Sequence, residues 1–208
     1  MILTAVTGYL LGSINTALIV SRFLKNDDIR SHGSGNAGTT NMLRTYGKKA
    51  ALITGLGDLL KAILAVLLAR AVVYLSAAQL SFDIGYFTGL FVLLGHMYPI
   101  YFGYKGGKGV MPALGIILIV NPIAFAVMFV ISLPVLLIFR IVSLVSVLSA
   151  VLLPIVTFAL CLLQRTDPLY NTFFTMLYGI LVLYSHRENI RRLLSRKEKP
   201  VRPGNIKH

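Results

Sequence analysis

Long apolar runs, separated by short polar segments, dominate the chain from end to end. Each of the clear runs is close to the roughly 17 to 25 mainly apolar residues that a transmembrane helix needs. The pattern therefore predicts an all-α, polytopic integral membrane protein. The clear runs are residues 2–21, 52–76, 83–102, 142–163 and 169–185.

Lysine and arginine are concentrated in three of the polar segments between and after these runs. Residues 22–49, residues 103–109 and the tail from His186 are basic, whereas residues 76–83 contain no Lys or Arg. Because Lys and Arg favour the cytoplasmic side of a membrane protein, the three basic segments are predicted to lie there. The N-terminus would then be outside the cell and the C-terminus inside.

The stretch 111–139 is apolar but is interrupted by Asn121-Pro122. If it crossed the membrane once, the basic tail would lie outside, so we expect it to cross twice or to dip and return. Proline removes a backbone donor and turns the chain, which makes Asn121-Pro122 the natural break. The sequence therefore predicts seven transmembrane helices, with a short or broken fourth helix over about 110–120 and a fifth over 122–139.

Composition indicates one membrane-embedded domain over residues 1–208, with a cytoplasmic tail at about 186–208. Of 208 residues, 56% are hydrophobic and 13% are charged, which is too little polar surface to cover a soluble core. A net charge of +13 often indicates a nucleic-acid partner, but here the cations flank apolar runs, so no nucleic acid is expected. The single cysteine, Cys161, lies in an apolar run and no metal-ligand cluster is visible, so neither a metal nor a cofactor is expected.

The first candidate site is a glycine-rich loop before the second long run. Glycine lets backbone N–H groups turn toward an anion, and small polar side chains add neutral donors. Arg44 can offer a two-pronged contact to phosphate, and a helix that begins near Thr40 would present its positive end to the same place. The loop positions that we assign to the site are Ser34, Gly35, Asn36, Gly38, Thr40 and Asn41.

This loop also contains a literal GxGxxG at Gly33, Gly35 and Gly38. The dinucleotide-binding fingerprint requires a preceding strand and a βαβ unit, whereas here an apolar run and a charged segment precede the glycines. A Rossmann site is therefore not predicted. A flexible polar linker is the remaining alternative for the loop taken alone.

The second candidate site joins His96, near the cytoplasmic end of its run, to Lys105-Gly106-Gly107-Lys108-Gly109. Mobile backbone amides between two ammonium groups are well suited to phosphate. The segment is not a Walker A loop, which would need a glycine at Phe102 and Ser or Thr at Gly109, so nucleotide hydrolysis is not indicated. Topology anchoring by the lysines is the alternative, but it does not explain the glycines.

The third candidate site consists of His186, Glu188 and Asn189, where the last run leaves the membrane. His186 and Asn189 share one face at helical spacing. Taken alone, this segment is also compatible with a simple interfacial anchor.

Further polar residues lie in or beside the apolar runs. Asp58 and Lys61 are three apart and can pair, and ionisable groups at membrane depth are either functional or form a structural pair. Ser143 follows Arg140 and faces the same cytoplasmic zone as the basic loops. The candidate sites all lie on one predicted membrane face, and all are suited to oxyanions.

Together, these segments closely resemble the bacterial acyl-phosphate:glycerol-3-phosphate acyltransferase family, PlsY, over nearly the whole chain. The resemblance rests on ordered motifs at matching spacing. They are Gly12-Ser13-Ile14, Ser34-Gly35-Asn36-x-Gly38-x-Thr40-Asn41 with Arg44, Asp58 with Lys61, His96 with Pro99, Lys105-Gly106-Gly107-Lys108-Gly109-Val110, and His186-x-Glu188-Asn189.

The resemblance implies a bacterial inner-membrane enzyme with its active site at the cytoplasmic face. It would transfer a fatty acyl group from acyl phosphate to the sn-1 hydroxyl of glycerol 3-phosphate. The products would be 1-acylglycerol 3-phosphate (lysophosphatidic acid) and phosphate, in the first step of phospholipid synthesis. We expect a monomer and no covalent intermediate. A substrate phosphate would accept the hydroxyl proton, with His186 as the alternative general base.

By position, the resemblance also implies roles for individual residues. The loop from Ser34 and the Lys105–Gly109 amides would hold the acyl-phosphate head. Contacts to glycerol phosphate would come from Arg44, Lys105 or Lys108, Ser143, His186 and Asn189, with Glu188 orienting them. We assign catalysis to Ser34, Arg44, His186 and Asn189, and substrate binding to the others, including Lys61 and His96.

The chain departs from the family's pattern at four positions. Met111 and Pro112 stand where Ala-Thr is common, which removes a hydroxyl donor from the lysine loop. Thr39 stands where Ala is usual, and Asn15 stands where Pro is usual. These differences concern the donor geometry of the phosphate pocket.

Two other functional classes share basic loops and membrane helices. A transporter of organic phosphates should show a polar path through the membrane midplane and similar halves. Beyond Asp58 and Lys61 little is visible for such a path. A noncatalytic scaffold for anionic headgroups would need basic residues but no glycine loops.

Overall fold

The apolar runs fold as helices because a backbone in lipid must satisfy its own hydrogen bonds. The computed structural model describes residues 1–201, apart from the side chain of Lys25. Within this range the regular elements are helical, with short 3₁₀ turns at Ile29–Ser31 and Ile100–Phe102. The α-helices are α1 Ile2–Ser13, α2 Thr16–Lys25, α3 Thr39–Leu75, α4 Ile84–Met97, α5 Val110–Val120, α6 Pro122–Phe139, α7 Val142–Gln164, α8 Pro168–Ser185 and α9 Arg187–Leu194.

Four segments are long and apolar enough to cross a membrane by length and composition. They are Ile2–Leu24, Thr39–Leu75, Pro122–Phe139 and Val142–Gln164. The helix Val110–Val120 is apolar but shorter. The all-helical, multi-span class predicted from the sequence is thus confirmed, while the count of seven spans and their orientation stay predictions.

The predicted break at Asn121-Pro122 separates two helices as expected. α5 ends at Val120, and α6 begins at Pro122, whose missing N–H costs nothing at a first helical position. The side chain of Asn121 caps α6 by accepting a hydrogen bond from the Ala124 N–H at 2.9 Å. The fourth helix is therefore short, as the sequence indicated.

The first apolar run is interrupted, where a continuous helix over 2–21 was expected. α1 ends at Ser13 because Asn15 caps a new helix, accepting from the Leu18 N–H at 3.1 Å. The break leaves the Ile14 carbonyl without a helical partner, and the Lys61 ammonium donates to it at 2.6 Å. The interruption thus supplies an acceptor for a buried cation.

The third run is also shorter than the predicted 83–102. α4 ends at Met97 because Pro99 has no N–H and disfavours helical geometry at the residue before it. The carbonyls of His96 and Met97 then accept hydrogen bonds from the Gly107 and Gly106 N–H groups, at 3.1 and 3.0 Å. The lysine loop is folded back against the end of α4 in this way.

The second apolar run, predicted over 52–76, forms the later part of a longer helix. α3 starts at Thr39, close to the predicted start near Thr40, and it is kinked at Gly47, where φ is 82°. A positive φ of this size favours glycine. The kink lets one helix carry both the end of the glycine-rich loop and the buried pair Asp58 and Lys61.

Close helix packing places α4 at the centre of the molecule. A Cβ at Gly12 would overlap the Val92 carbonyl, and one at Gly95 would overlap the Tyr9 carbonyl. Small residues therefore let α1 and α4 approach backbone to backbone, as membrane helices commonly do.

The C-terminal segment, predicted as a cytoplasmic tail at about 186–208, begins with a further helix and then returns toward the start of α7. α9 follows α8 directly, and the chain continues back across the molecule until the Val201 N–H donates to the Arg140 carbonyl at 2.8 Å. The rest of the predicted tail, 202–208, lies outside the described residues.

Candidate functional site

The three candidate segments meet around one polar cavity of about 300 Å³. Its walls come from the glycine-rich loop and the start of α3, the end of the lysine loop, the start of α7, and the junction of α8 with α9. Twelve of the predicted site residues line it. They are Ser34, Asn36, Gly38, Thr40, Asn41, Arg44, His96, Lys108, Gly109, Ser143, His186 and Asn189.

The other predicted site residues do not line the cavity, and Lys105 is one of them. Its side chain is exposed, and its carbonyl accepts a hydrogen bond from Arg30 at 3.2 Å. Gly106 and Gly107 use their amides on α4, so these amides are not free for an anion. The remaining residues outside the wall are Gly35, Lys61 and Glu188.

Asn41 holds the glycine-rich loop in place rather than presenting its amide to the cavity. Its Oδ1 accepts from the Ser34 N–H at 3.0 Å, and its Nδ2 donates to the carbonyls of Ile29 and His32 at 3.2 and 3.0 Å. A Cβ at Gly33, where φ is +57°, would overlap Asn41 Oδ1. Glycine is therefore required for the loop to close over this side chain.

The N-terminus of α3 lies at the wall of the cavity beside this loop. Backbone N–H groups at a helix N-terminus and the helix dipole favour an anion. Thr39, at the first turn, lines the cavity, and its buried Oγ1 has no hydrogen-bond partner among the described residues. This hydroxyl is therefore a further donor available at the cavity wall.

A buried ion pair, of which Asp58 lines the cavity and Lys61 does not, fixes the orientation of His96. Lys61 Nζ lies 2.8 Å from Asp58 Oδ1, 2.6 Å from the Ile14 carbonyl and 3.0 Å from His96 Nδ1. An ammonium has three donors and no acceptor, so Nδ1 of His96 is the acceptor and the ring proton lies on Nε2. His96 lines the cavity, and its ring N–H donor is at Nε2.

The position of the His96 ring also requires a glycine at position 107. A Cβ at this position would overlap His96 Nε2 and would approach the Ala37 carbonyl to 2.8 Å. The glycine of the lysine loop thus makes room for the imidazole, which is a packing reason instead of the anion-binding reason predicted from the sequence.

His186 has the opposite hydrogen-bonding arrangement. Its Nδ1 lies 2.8 Å from the Val182 carbonyl, which can only accept, so Nδ1 carries the proton and Nε2 has the lone pair. Burial lowers the pKa of His186 to about 4, although the bond to Val182 opposes the shift. The imidazole is neutral at pH 7 and is a weak base.

Cationic and amide donors from the lysine loop and α9 also line the cavity. Lys108 Nζ donates to Asn189 Oδ1, and burial lowers the pKa of Lys108 while Arg192 adds to the shift. Glu198 lies among these groups and accepts from Ser143 Oγ, Asn189 Nδ2 and Arg192 Nε at 2.8, 2.7 and 2.6 Å. Three donors of this wall thus bind the same carboxylate, that of Glu198.

An apolar groove of about 310 Å³ adjoins the polar cavity. It runs between α5, α6, α7 and α8, and its walls include Leu114, Phe129 and Leu153. Four residues line both spaces, namely Val110, Met111, Val142 and Ser146. A ligand with a polar head and a long apolar chain could therefore occupy both at once.

Comparison with known proteins identifies the family of this chain. The family profile described as Glycerol-3-phosphate acyltransferase matches residues 2–196. The chain belongs to this family. A relative of that name from Alkaliphilus metalliredigens is 37% identical over 200 residues, covering 96% of this chain and 95% of the relative. One from Neisseria meningitidis serogroup C is 40% identical over 193 residues, covering 93% of each chain.

The fold is also similar to that of a solved integral membrane enzyme. The crystal structure of PlsY (YgiH), an integral membrane glycerol 3-phosphate acyltransferase, in its glycerol 3-phosphate form superposes with a TM-score of 0.80 at 38% identity, covering 96% of this chain and 94% of that one. Its lysophosphatidic acid form gives a TM-score of 0.78 at 35% identity. This chain is accordingly an integral membrane glycerol-3-phosphate acyltransferase.

Sequence reasoning missed Arg192 and Glu198 as cavity residues. Arg192 directly follows the third candidate segment but received no role. Glu198 lies in the basic tail, where charge runs after a last span usually anchor topology. One signal could have drawn attention to Glu198: the chain has only 7 acidic residues against 20 Lys and Arg, so an acid within the most basic segment is unusual.

Proposed function

We propose that this acyltransferase moves a fatty acyl group from acyl phosphate to the sn-1 hydroxyl of glycerol 3-phosphate, releasing phosphate and 1-acylglycerol 3-phosphate. The observation that supports this most strongly is the junction of the polar cavity with the apolar groove. An acyl phosphate has an anionic head and a long apolar tail, and both fit this pair of spaces. The glycerol 3-phosphate and lysophosphatidic acid forms of the similar enzyme agree with the acceptor and the product.

We assign the two phosphates to different parts of the cavity wall. The acyl-phosphate head would bind at the N-terminus of α3, where Ser34, Thr39 and the helix dipole supply donors near Met111 and the groove. Glycerol 3-phosphate would bind the wall formed by Arg44, Lys108, Ser143 and Asn189, which supplies two cations and two neutral polar groups.

The reaction requires no covalent enzyme intermediate. Acyl phosphate is a mixed anhydride, so the sn-1 oxygen can attack the acyl carbon directly while the bond to the phosphate oxygen breaks. Donors aimed at the carbonyl oxygen and the leaving phosphate stabilise the charge that develops there. His96 Nε2–H is one such donor, and binding both substrates in one cavity supplies proximity.

We assign the proton of the attacking hydroxyl to a substrate phosphate. The pKa of His186 is about 4, whereas the second pKa of a phosphate monoester is about 6. The phosphate is thus the stronger base at neutral pH. His186 would instead use its Nε2 lone pair to accept a hydrogen bond from the sn-2 hydroxyl, which orients the glycerol while the sn-1 proton goes to the phosphate.

The membrane arrangement that fits this function has seven spans in the bacterial cytoplasmic membrane. The N-terminus would be outside, and the cavity would face the cytoplasm, where glycerol 3-phosphate is available. Lys and Arg near the cavity mouth support this orientation. We propose that the monomer is active, since a single chain supplies every wall of the cavity.

One assay tests the reaction against transport or passive lipid binding. Purified protein in lipid bilayers should release phosphate from palmitoyl phosphate only when glycerol 3-phosphate is present, with one lysophosphatidic acid formed per phosphate. EDTA should leave the rate unchanged. Movement of glycerol 3-phosphate across the bilayer without phosphate release would instead identify a transporter and contradict the proposal.

A further inference from the structure

The carboxylate of Glu198 occupies the wall that we assign to glycerol 3-phosphate. Its side chain is only 6% exposed, although it lies near the end of the described chain. Its three hydrogen-bond donors, Ser143, Asn189 and Arg192, all line the cavity. A carboxylate and a phosphate are both oxyanions that use the same kind of donor.

The backbone around Glu198 is also fixed against the cavity. The Lys199 carbonyl accepts from Arg44 at 3.2 Å, and the Val201 N–H donates to the Arg140 carbonyl at 2.8 Å. The Lys197 and Glu198 N–H groups both donate to the Arg192 carbonyl, at 2.7 and 3.2 Å. The segment 197–201 therefore crosses the cavity mouth and uses the guanidinium of Arg44.

Three of these interactions compete with the proposed function. Asn189 and Ser143 each have one side chain, and Arg44 has one guanidinium, so a phosphate that contacts them must displace Glu198 and Lys199 or share their donors. Burial raises the pKa of Glu198, but hydrogen bonds from Arg192, Ser143 and Asn189 outweigh it, so the pKa lies below its ordinary value. At neutral pH the group is an anion.

We propose that Glu198 is a built-in competitor for the phosphate of the acceptor substrate, and that segment 197–201 leaves the cavity mouth when glycerol 3-phosphate binds. The inference rests on the proposed function, because it takes this wall as the acceptor site. Glu198 keeps the donors of this wall oriented for an oxyanion. It also lowers the apparent affinity for glycerol 3-phosphate, because only molecules in which the carboxylate has left the site can bind the substrate.

The size of the effect follows from simple competition. If the carboxylate occupies the site in about two-thirds of the molecules, the apparent affinity for glycerol 3-phosphate falls about threefold. Glu198→Gln keeps the size of the side chain but removes its charge, so Arg192 and Lys108 no longer attract it. The variant should bind glycerol 3-phosphate more tightly.

The kinetic test compares Glu198→Gln with Asp167→Asn. Asp167 is exposed at the start of α8 and caps that helix, a role that Asn performs equally well, so the control changes the net charge by the same amount away from the cavity. In Glu198→Gln, KM for glycerol 3-phosphate should fall about threefold or more while kcat is retained, and Asp167→Asn should match the native protein. An unchanged or higher KM, or a tenfold loss of kcat, would overturn the inference.

Hydrogen exchange provides a second, activity-independent readout. In the full-length protein in lipid nanodiscs, glycerol 3-phosphate should speed exchange in the peptide that includes Glu198 and Val201, because their hydrogen bonds open when the segment leaves. Unchanged or slower exchange would contradict displacement. If the native protein shows no phosphate release that depends on glycerol 3-phosphate, the proposed function itself fails, which is a different outcome.

Discussion

His96 and His186 border the same cavity but are held in opposite tautomers. Lys61 fixes the proton of His96 on Nε2, and the Val182 carbonyl fixes the proton of His186 on Nδ1. One imidazole is therefore a donor and the other an acceptor. A sequence shows two histidines but not their tautomers, because Lys61 lies in a distant segment from His96 and the bond from His186 to Val182 depends on how α8 ends.

The pH dependence of the rate tests which group accepts the proton. His186, with a lowered pKa of about 4, stays neutral from pH 5 to pH 8 and contributes no titration there. If a substrate phosphate is the base, kcat/KM should fall as the pH drops through about 6, where that phosphate gains a proton. His186→Asn should lower the rate without moving this midpoint. A midpoint that disappears in His186→Asn would make the histidine the base.

The buried pair Asp58 and Lys61 should act through His96. Replacing Lys61 alone would leave a buried carboxylate without a partner, so the informative variant is Asp58→Asn with Lys61→Met. We expect this protein to stay folded but to lose about 10²-fold in kcat, comparable to removal of an oxyanion donor. In ¹⁵N NMR spectra, the His96 ring should no longer be confined to the Nε2–H tautomer. If the variant kept its activity while the His96 ring populated both tautomers, His96 would have no role in the reaction.

Arg44 and Asn189 are expected to be essential for turnover. Arg44→Ala and Asn189→Ala should each reduce kcat/KM about 10²-fold or more, because each removes a donor from the phosphate wall. Arg165→Ala, which removes an equal charge beyond the end of α7, serves as the control. Thermal unfolding should be similar in all of these proteins, and full activity of either cavity variant would refute its role.

At the scale of the helices, the apolar groove predicts a chain-length effect. Ser149 on α7 lines the groove beside Ser132, whereas Val151, two residues further, is 48% exposed on the outer side of the same helix. Ser149→Phe should therefore shift the preferred donor toward shorter acyl phosphates. Val151→Phe should leave the preference unchanged, and rates with C8 to C16 acyl phosphates would measure it. An unshifted preference in Ser149→Phe would place the acyl chain elsewhere.

Helix boundaries show what the pattern could predict. The short fourth helix was predictable because Asn121-Pro122 combines a cap with a residue that cannot continue a helix. The pattern did not predict the breaks at Asn15 and Pro99. A run of apolar residues indicates burial in lipid, but it does not show whether the helix is continuous. In both places the freed carbonyls are used by distant groups, Lys61 and the lysine-loop amides.

The candidate site was predicted in outline and not in detail. Glycines and cations in three segments pointed to one anion-binding place, and the structure brings most of those residues to one cavity. Gly106 and Gly107 proved to serve packing and loop closure instead. Glu198 was not foreseen because its position depends on how the chain folds back after α9.

At the scale of the whole molecule, residues distant in sequence supply a single reaction space. α3, the lysine loop and the α8–α9 junction meet at one end of the helix bundle, and the groove extends from there between α5 and α8. In the proposed reaction, this arrangement would place a water-soluble phosphate substrate beside a lipid-soluble one. It requires that the three segments lie on the same side of the membrane.

Side-specific labelling tests that requirement most directly. Cysteine would be introduced singly at Ser34, Lys108 and Asn189 in a Cys161→Ala background, since Cys161 is the one native cysteine and is buried. In sealed, right-side-out vesicles a membrane-impermeant maleimide should label none of the three, and opening the vesicles should make all three reactive. If any one of them were labelled from outside while another required opening, the segments could not share a cavity and the account would be contradicted.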